Sequence, residues 1–256
     1  MKNYFSKLVL LFILTATAGL TSCKKSDSEP SNANDTKLIK VSTWNPSTGA
    51  EVIIYELVYD AKGIVSSVRG GNNDLYTPEY NSDGKLSKVT KSNPNGRQTI
   101  YTLTYNAAGQ VIKNNQASTS SGAVTGNTEI VYDYNANGKI SKETMTYATG
   151  STVQEYTWNG ENLSETKSTY SSTSIYTSKY VSYDDKLSPY LLGGQIVSFV
   201  LGGVAQSKNN VTEIQTTSGT TNNSQKRTYE YNAAGYATSM KLMDGSNEGQ
   251  KFYYNK

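Results

Sequence analysis

The sequence contains no histidine, a single cysteine and only five prolines among its 256 residues. Without histidine, the chain lacks the side chain that proteins use most often as a general base, a metal ligand or a pH switch. With Cys23 as its one cysteine, it can form neither an internal disulfide nor a cysteine-based metal site. We therefore expect no metal and no cofactor.

The sequence also lacks a large excess of charge of either sign. The chain carries 24 basic and 21 acidic side chains, a net charge of +3. Lys2 and Lys7 precede Cys23, so a chain that begins at Cys23 has 22 basic against 21 acidic side chains, or +1. Domains that bind nucleic acid concentrate positive charge on one face. We therefore expect no nucleic-acid partner.

Tyrosine and glycine are abundant by contrast, with 21 residues of each, against four phenylalanines and two tryptophans. Tyrosine, threonine and valine favour the half-buried surface of a β-sheet, and glycine and asparagine favour tight turns. The composition predicts an all-β protein built from many short strands.

The first 23 residues indicate where the protein is sent. Residues 1–22 have a basic start and an apolar run from Leu8 to Leu14, which is shorter than the roughly 20 residues of a membrane-spanning helix and is typical of a signal peptide. The segment LTSC, which ends at Cys23, resembles a bacterial lipobox, so Cys23 is the predicted lipid-attachment site and the membrane a predicted partner. An ordinary signal peptide with an incidental cysteine is the alternative.

The remaining chain divides into two predicted parts. Residues 23–37 are polar and rich in serine and asparagine, so we expect a flexible tether after the lipidated cysteine. Residues 38–256 form a single predicted β domain built from repeats. Asp27 and Glu29 loosely resemble the acidic surface-export signal of lipoproteins, which leaves exposure at the cell surface open.

The repeat unit is a pentapeptide that begins with tyrosine and ends with glycine. An aspartate or asparagine follows the tyrosine and can bond to its own backbone, while the glycine can adopt the positive φ that closes a hairpin. Large residues alternate before each unit, which predicts a strand. WNGEN (158–162) and YDDK (183–186) look like altered copies. The predicted turns lie between Tyr59 and Gly63, Tyr80 and Gly84, Tyr105 and Gly109, Tyr134 and Gly138, and Tyr231 and Gly235.

The repeats predict an antiparallel up-and-down meander of some fourteen or more strands. Twist accumulates in such a sheet, so we expect it to be strongly curled or closed into a barrel. The apolar segment at about 189–206 lacks the hairpin pattern and is interrupted by glycines. We interpret it as an inserted loop or short helix that packs against or into the sheet, with a membrane or partner contact as the alternative.

The repeat tyrosines and the acidic residues leave different functional possibilities. The tyrosines could form a platform for flat ligands, but a shared packing role explains better why every repeat has one. Asp184 with Asp185, and Glu161 with Glu165, are the candidate catalytic carboxylates, yet acids at turns are usually solvated. We therefore predict no catalytic residues and a protein that is not an enzyme.

Two resemblances extend this interpretation. The Tyr-(Asp/Asn)-x-x-Gly units resemble the YD repeats of Rhs-type and teneurin-type proteins. YELVYDAKG, SYDDKLSPY (182–190) and SKNNVTEI (207–214), together with the lipobox, make residues 38–256 resemble a family of Bacteroidota lipoproteins of unknown function with a porin-like fold. This resemblance implies a barrel-like antiparallel sheet, anchored by lipid at the outer membrane, and brings no catalytic residues.

These observations favour a non-enzymatic binding module for a glycan or another envelope component, because the variable loops are rich in asparagine and threonine. A structural or accessory envelope protein without a small ligand is the alternative. A hydrolase that uses carboxylates and a transmembrane pore fit less well, since the strand faces opposite the tyrosines carry threonine, serine, lysine and glutamate.

Overall fold

The structure is a computed structural model, and it describes residues 36–120, 122–171, 173–202 and 206–255. The signal peptide, the predicted lipid-attachment residue Cys23 and almost all of the predicted tether lie outside the described residues.

Sixteen antiparallel strands, joined in chain order, form one closed barrel. Each strand pairs with the next along the chain, and the last pairs with the first through six residue pairs from Leu38–Tyr254 to Trp44–Gly249. The predicted up-and-down meander is confirmed, and of the two predicted forms the sheet takes the closed one. The strands are β1 (Leu38–Trp44), β2 (Glu51–Tyr59), β3 (Val65–Gly70), β4 (Leu75–Tyr80), β5 (Leu86–Ser92), β6 (Arg97–Tyr105), β7 (Val111–Ser120), β8 (Ala123–Tyr134), β9 (Ile140–Tyr147), β10 (Gly150–Asn159), β11 (Asn162–Tyr170), β12 (Thr173–Leu187), β13 (Asn209–Ser218), β14 (Thr221–Tyr231), β15 (Ala237–Leu242) and β16 (Gly249–Tyr254).

Apolar side chains from strands around much of the barrel fill its interior. Val41, Val68 and Val89 are fully buried, and they belong to one continuous core with leucine, isoleucine and tyrosine residues from other strands. The alternation along each strand places these residues on the inner face and polar residues on the outer face. Closure also leaves no unpaired edge that could recruit another chain.

The predicted turns lie at one end of the barrel, which we call the tight end. In the turn after β4, the Asn81 carboxamide accepts hydrogen bonds from the backbone N–H groups of Asp83 and Lys85, at 3.0 and 2.9 Å. The final glycine of each unit has a φ between 74° and 83°, a region that favours glycine. These glycines are Gly63, Gly84, Gly109, Gly138 and Gly235. The opposite end of the barrel contains connections such as residues 45–50 and 93–96, and we call it the variable end.

The interpretation of YDDK as an altered turn is wrong. Residues 183–186 lie within β12, which continues to Leu187. Asp184 still accepts a hydrogen bond from the backbone N–H of Lys186, as the turn asparagines do. The fifth position, however, is Leu187 rather than glycine, so the positive φ that would close a hairpin is disfavoured and the chain stays extended.

The apolar insertion follows β12 and lies at the tight end. It forms a 3₁₀ helix (Pro189–Gly193) and a short α-helix, α1 (Gly194–Phe199), which we together call the plug. Ile196 and Val197 are buried in the barrel core. The predicted short helix packed into the sheet is therefore confirmed. No helix in the described part of the chain is both long enough and apolar enough to cross a bilayer.

Polar contacts fix the plug to the barrel wall. The Gln195 side-chain oxygen accepts hydrogen bonds from the Leu86 backbone N–H and the Tyr105 hydroxyl, at 3.0 and 3.2 Å. The Asn114 carboxamide donates to the carbonyl of Phe199 at 2.8 Å. These bonds satisfy backbone groups at strand and helix ends, so the plug is an integral part of the tight end.

Candidate functional site

The repeat tyrosines hold the tight end together through a recurring hydrogen bond. Here a hairpin is a pair of strands joined at the variable end, such as β1 and β2. In each of these hairpins, a side chain near the end of the second strand donates to a carbonyl near the start of the first strand, at 2.5–2.9 Å. We call these contacts the hairpin-end bonds. The pairs are Tyr59–Leu38, Tyr80–Val65, Tyr105–Leu86, Tyr134–Val111, Trp158–Ile140, Tyr183–Leu163, Tyr229–Val211 and Tyr254–Ala237.

Shifts in the strand register occur next to many of these side chains and set their direction. The strand register shifts immediately before Tyr59, Tyr80, Tyr105 and Tyr134, and again before Trp158. Such bulges re-aim a side chain relative to a regular strand. Burial raises the pKa of Tyr59, Tyr80 and Tyr134 to about 12, so their hydroxyls remain protonated donors at neutral pH.

Tyr231 differs from the other repeat tyrosines. Its hydroxyl bonds to the Asp184 carboxylate, while Tyr229 makes the hairpin-end bond of that hairpin. Asp184 also accepts from the Asn210 side chain at 3.1 Å. The hydroxyls of the repeat tyrosines are therefore engaged within the fold, which favours the packing interpretation over a ligand platform.

The plug and the barrel wall surround a cavity of about 370 Å³, which we call the lumen pocket. Aromatic rings and side-chain amides dominate its lining. Among the described residues that line it, Arg227 is the one charged residue. The polar and aromatic lining groups are Tyr55, Tyr180, Ser188, Tyr190, Gln206, Ser207, Asn209, Asn210, Arg227, Tyr229, Gln250 and Phe252.

A second cavity, of about 540 Å³, lies at the variable end, and we call it the mouth. It is lined by the β1–β2 connection and by the residues that precede β16, including Trp44 and Glu248. Arg227, Met240 and Gln250 line both the mouth and the lumen pocket. The two cavities therefore adjoin each other at these three residues.

The lumen pocket contains buried polar atoms without a partner. Tyr55 is only 5% exposed, and its hydroxyl has no hydrogen-bond partner among the described residues. The side-chain nitrogen of Gln206 is also buried without a partner there. A buried polar group without a partner costs about 1–3 kcal/mol, so such groups usually serve a bound molecule or water. Ser42, Asn114 and Tyr132 also carry a buried atom without a described partner, but only Tyr55 and Gln206 among these residues line the lumen pocket.

A buried acid lies on another part of the inner wall. Glu143, on β9, is the one buried carboxylate among the described residues. The Tyr156 hydroxyl donates to it at 2.8 Å. Burial raises the pKa of Glu143 above its ordinary value of 4.5, and the bond from Tyr156 opposes this increase.

Glu143→Gln is expected to stabilise the protein at neutral pH. Because the folded-state pKa is raised, the folded protein holds this proton more tightly than the unfolded chain, and stability falls as pH rises from 4.5 through the raised pKa. The variant keeps an acceptor for Tyr156 but carries no charge. The variant should therefore melt at a higher temperature than the wild type at pH 8, and at the same temperature as the wild type at pH 4. Glu129→Gln, at an exposed site, is the control, and an equal gain in both variants would contradict this prediction.

The candidate catalytic acids are engaged elsewhere. Asp184 bonds to Asn210 and Tyr231, whereas the Asp185 side chain is 84% exposed beside Lys186. Glu161 pairs with Lys139 at 2.9 Å at the tight end. Within the described residues, no group of three or more histidine, cysteine, aspartate or glutamate side chains could hold a metal ion.

The comparisons with known proteins concern the fold. No protein-family model matches the sequence, and no curated protein sequence matches it. A porin-like protein from Bacteroides uniformis is similar in structure, with a TM-score of 0.57 and 13% identity over 86% of this chain and 96% of that one. A porin-like protein from Bacteroides vulgatus has a TM-score of 0.54 and 12% identity over 86% and 99%. The chain therefore has a porin-like β-barrel fold.

A further match is the TcdB2-TccC3-Cdc42 structure, with a TM-score of 0.39 and 15% identity over 86% of this chain and 13% of that one.

Proposed function

We propose that the protein is a non-enzymatic binding module, anchored by lipid at the outer membrane, whose ligand enters the mouth and occupies the lumen pocket. A glycan or another envelope component is the proposed ligand. One observation carries the proposal: the lumen pocket presents the buried, unpartnered Tyr55 hydroxyl inside an aromatic and amide-rich lining. Pockets for small ligands typically have volumes of about 300–1,000 Å³ with a few polar groups that fix orientation.

The chemistry of the lining supports a sugar ligand. Tyr55, Tyr180 and Tyr190 offer apolar ring surface with a polar tip. Asn210 and Gln250 add carboxamides, which both donate and accept hydrogen bonds as sugar hydroxyls do.

The lipobox-like segment that ends at Cys23 supports anchoring. Two acyl chains anchor a protein stably where one does not. Cys23→Ala is expected to move the protein from the membrane fraction to the soluble fraction, as measured by immunoblot. Retention in membranes would contradict the anchor.

The charged side chains on the outer wall favour a barrel surrounded by water over a transmembrane pore. Ion pairs such as Lys88–Glu79 and Lys113–Glu129, both at 2.8 Å, lie on the outward face. Charged groups on the lipid-facing side of a membrane barrel are costly, at about 2–4 kcal/mol each near the bilayer centre for lysine or arginine.

Tyr55→Phe provides the test of the binding site. The variant is expected to be at least as stable as the wild type, because the lost hydroxyl is buried without a partner in the fold, but to bind a sugar about 2- to 10-fold more weakly. Tyr134→Phe is the matched control: it removes a hairpin-end bond of 2.7 Å and should lose about 0.5–1.5 kcal/mol of stability without a change in affinity. Thermal melts and calorimetric titration of a panel of microbial and host oligosaccharides measure both.

The structural or accessory envelope protein is the second candidate, and the hairpin-end bonds favour it. These bonds engage the hydroxyls of the repeat tyrosines within the fold, so the tyrosines do not form a ligand platform. A ligand would then have the lumen pocket as its main site. A folded protein that binds no oligosaccharide would support this candidate and contradict the binding module.

A further inference from the structure

Arg227 is directed into the barrel by the alternation of β14. Residues 225, 227, 229 and 231 are partly buried, whereas Lys226, Thr228 and Glu230 between them are exposed. Arg227 lines both the lumen pocket and the mouth. The guanidinium group therefore lies at the junction through which a ligand would pass.

The bonding partner of Arg227 is neutral. Its Nε and Nη2 atoms donate to the side-chain oxygen of Gln225, at 3.2 and 2.8 Å. No described carboxylate forms an ion pair with it. Glu248 lines the mouth but not the lumen pocket. The positive charge of Arg227 is thus not neutralised within the described part of the fold.

The surroundings of Arg227 strengthen its interaction with an anion. Burial raises the pKa of Tyr190 to about 12 and also raises that of Tyr229, while the nearby guanidinium opposes both shifts. The guanidinium therefore acts on these two hydroxyls inside the lumen pocket. A partly buried charge is weakly screened by solvent, and a charge away from water is stable chiefly when it is paired.

We propose that the lumen pocket selects sugars that carry a single negative charge, a carboxylate or a sulfate ester, with Arg227 as the group that binds this charge. This inference rests on the proposed function, because it specifies the ligand class of the same pocket. Arginine binds planar oxyanions through paired N–H donors. The neighbouring tyrosines and amides then contact the hydroxyl groups of the sugar.

The test compares sugars that differ in charge but not in size. Calorimetry would measure the binding of methyl galacturonoside, which carries one carboxylate, of its methyl ester, of methyl galactoside, and of methyl galactoside 6-sulfate. We expect an affinity about 10- to 100-fold higher for an anionic sugar than for the methyl ester, a difference that should shrink in 500 mM salt. The carboxylate and sulfate arms distinguish the two anions.

Three variants test the assignment to Arg227. Arg227→Gln should reduce the affinity for the anionic sugar about 10- to 100-fold and change the affinity for the methyl ester much less. Lys226→Gln is the matched control, because it removes the same charge from the adjacent position, where the side chain is 66% exposed on the outer face. Arg227→Lys keeps the charge and should retain part of the preference. Melting curves verify that each variant is folded.

The outcomes separate this inference from the proposed function. Equal affinity for the acid and its methyl ester, or equal effects of Arg227→Gln and Lys226→Gln, would overturn the charge preference and leave the binding module standing. Absence of binding to every sugar would overturn both. Loss of the anionic preference in Arg227→Gln alone would support both.

Discussion

Replacement of Ile196 by alanine is expected to lower the free energy of unfolding by about 2–5 kcal/mol. Ile196 of the plug is only 1% exposed, and it belongs to the same core as the valines of the barrel wall. The substitution leaves a cavity where the plug meets several strands. These strands form a closed hydrogen-bonded cylinder, so they cannot easily move inward to fill it.

Leu191→Ala is the matched control for this experiment. Leu191 lies in the same insertion but is 42% exposed, so its truncation should cost much less than that of Ile196. Urea denaturation followed by circular dichroism would give both free energies. Equal small losses would mean that the plug does not share the core, and the barrel interior would then have to be stabilised by the wall alone.

Phe252→Ala is expected to destabilise the protein by about 3–5 kcal/mol. Phe252 is 4% exposed and lies on β16, opposite Val41 of β1, at the pairing that closes the barrel. Its ring also contacts Tyr190 of the plug edge to face, with centroids 5.7 Å apart. The truncation therefore removes one side chain that packs against both the closing strand pair and the plug.

Phe252→Leu separates lost packing from a lost aromatic contact. It preserves much of the buried volume and should cost about 1.5 kcal/mol or less, while Phe252→Ala should broaden or lower the thermal transition. Denaturant titration and size-exclusion chromatography would measure stability and association. A variant Phe252→Ala as stable as Phe252→Leu would contradict the importance of this site for closure.

The sequence predicted the fold well because its turns are local. Each repeat carries its own asparagine or aspartate and glycine, so the turn from Tyr80 to Gly84 can be recognised without knowledge of distant contacts. The number of strands and their twist predicted a curled or closed sheet, and the pairing of β1 with β16 decides for closure. YDDK was misleading because it keeps the aspartate bond of Asp184 while its fifth residue, Leu187, cannot close the hairpin.

The candidate site could not be derived in the same way. The lumen pocket combines Val41 and Tyr55 with residues that lie more than 100 positions later, and their proximity depends on the pairing of β1 with β16. One signal was available: Arg227 occupies the same alternation as Tyr229 and Tyr231, on the face that the repeats bury. A charged residue in phase with the core tyrosines indicates an interior polar site.

The hairpin-end bonds have a consequence for the order of folding. Each joins residues only 15 to 23 positions apart, whereas the bond between Lys37 and Asn255 at the barrel seam spans 218 positions. Local contacts form at a small entropic cost and distant ones at a larger cost. The chain can therefore assemble hairpin by hairpin as a growing sheet. The meeting of its two ends is the last step, and until then the two terminal strands remain open to aggregation.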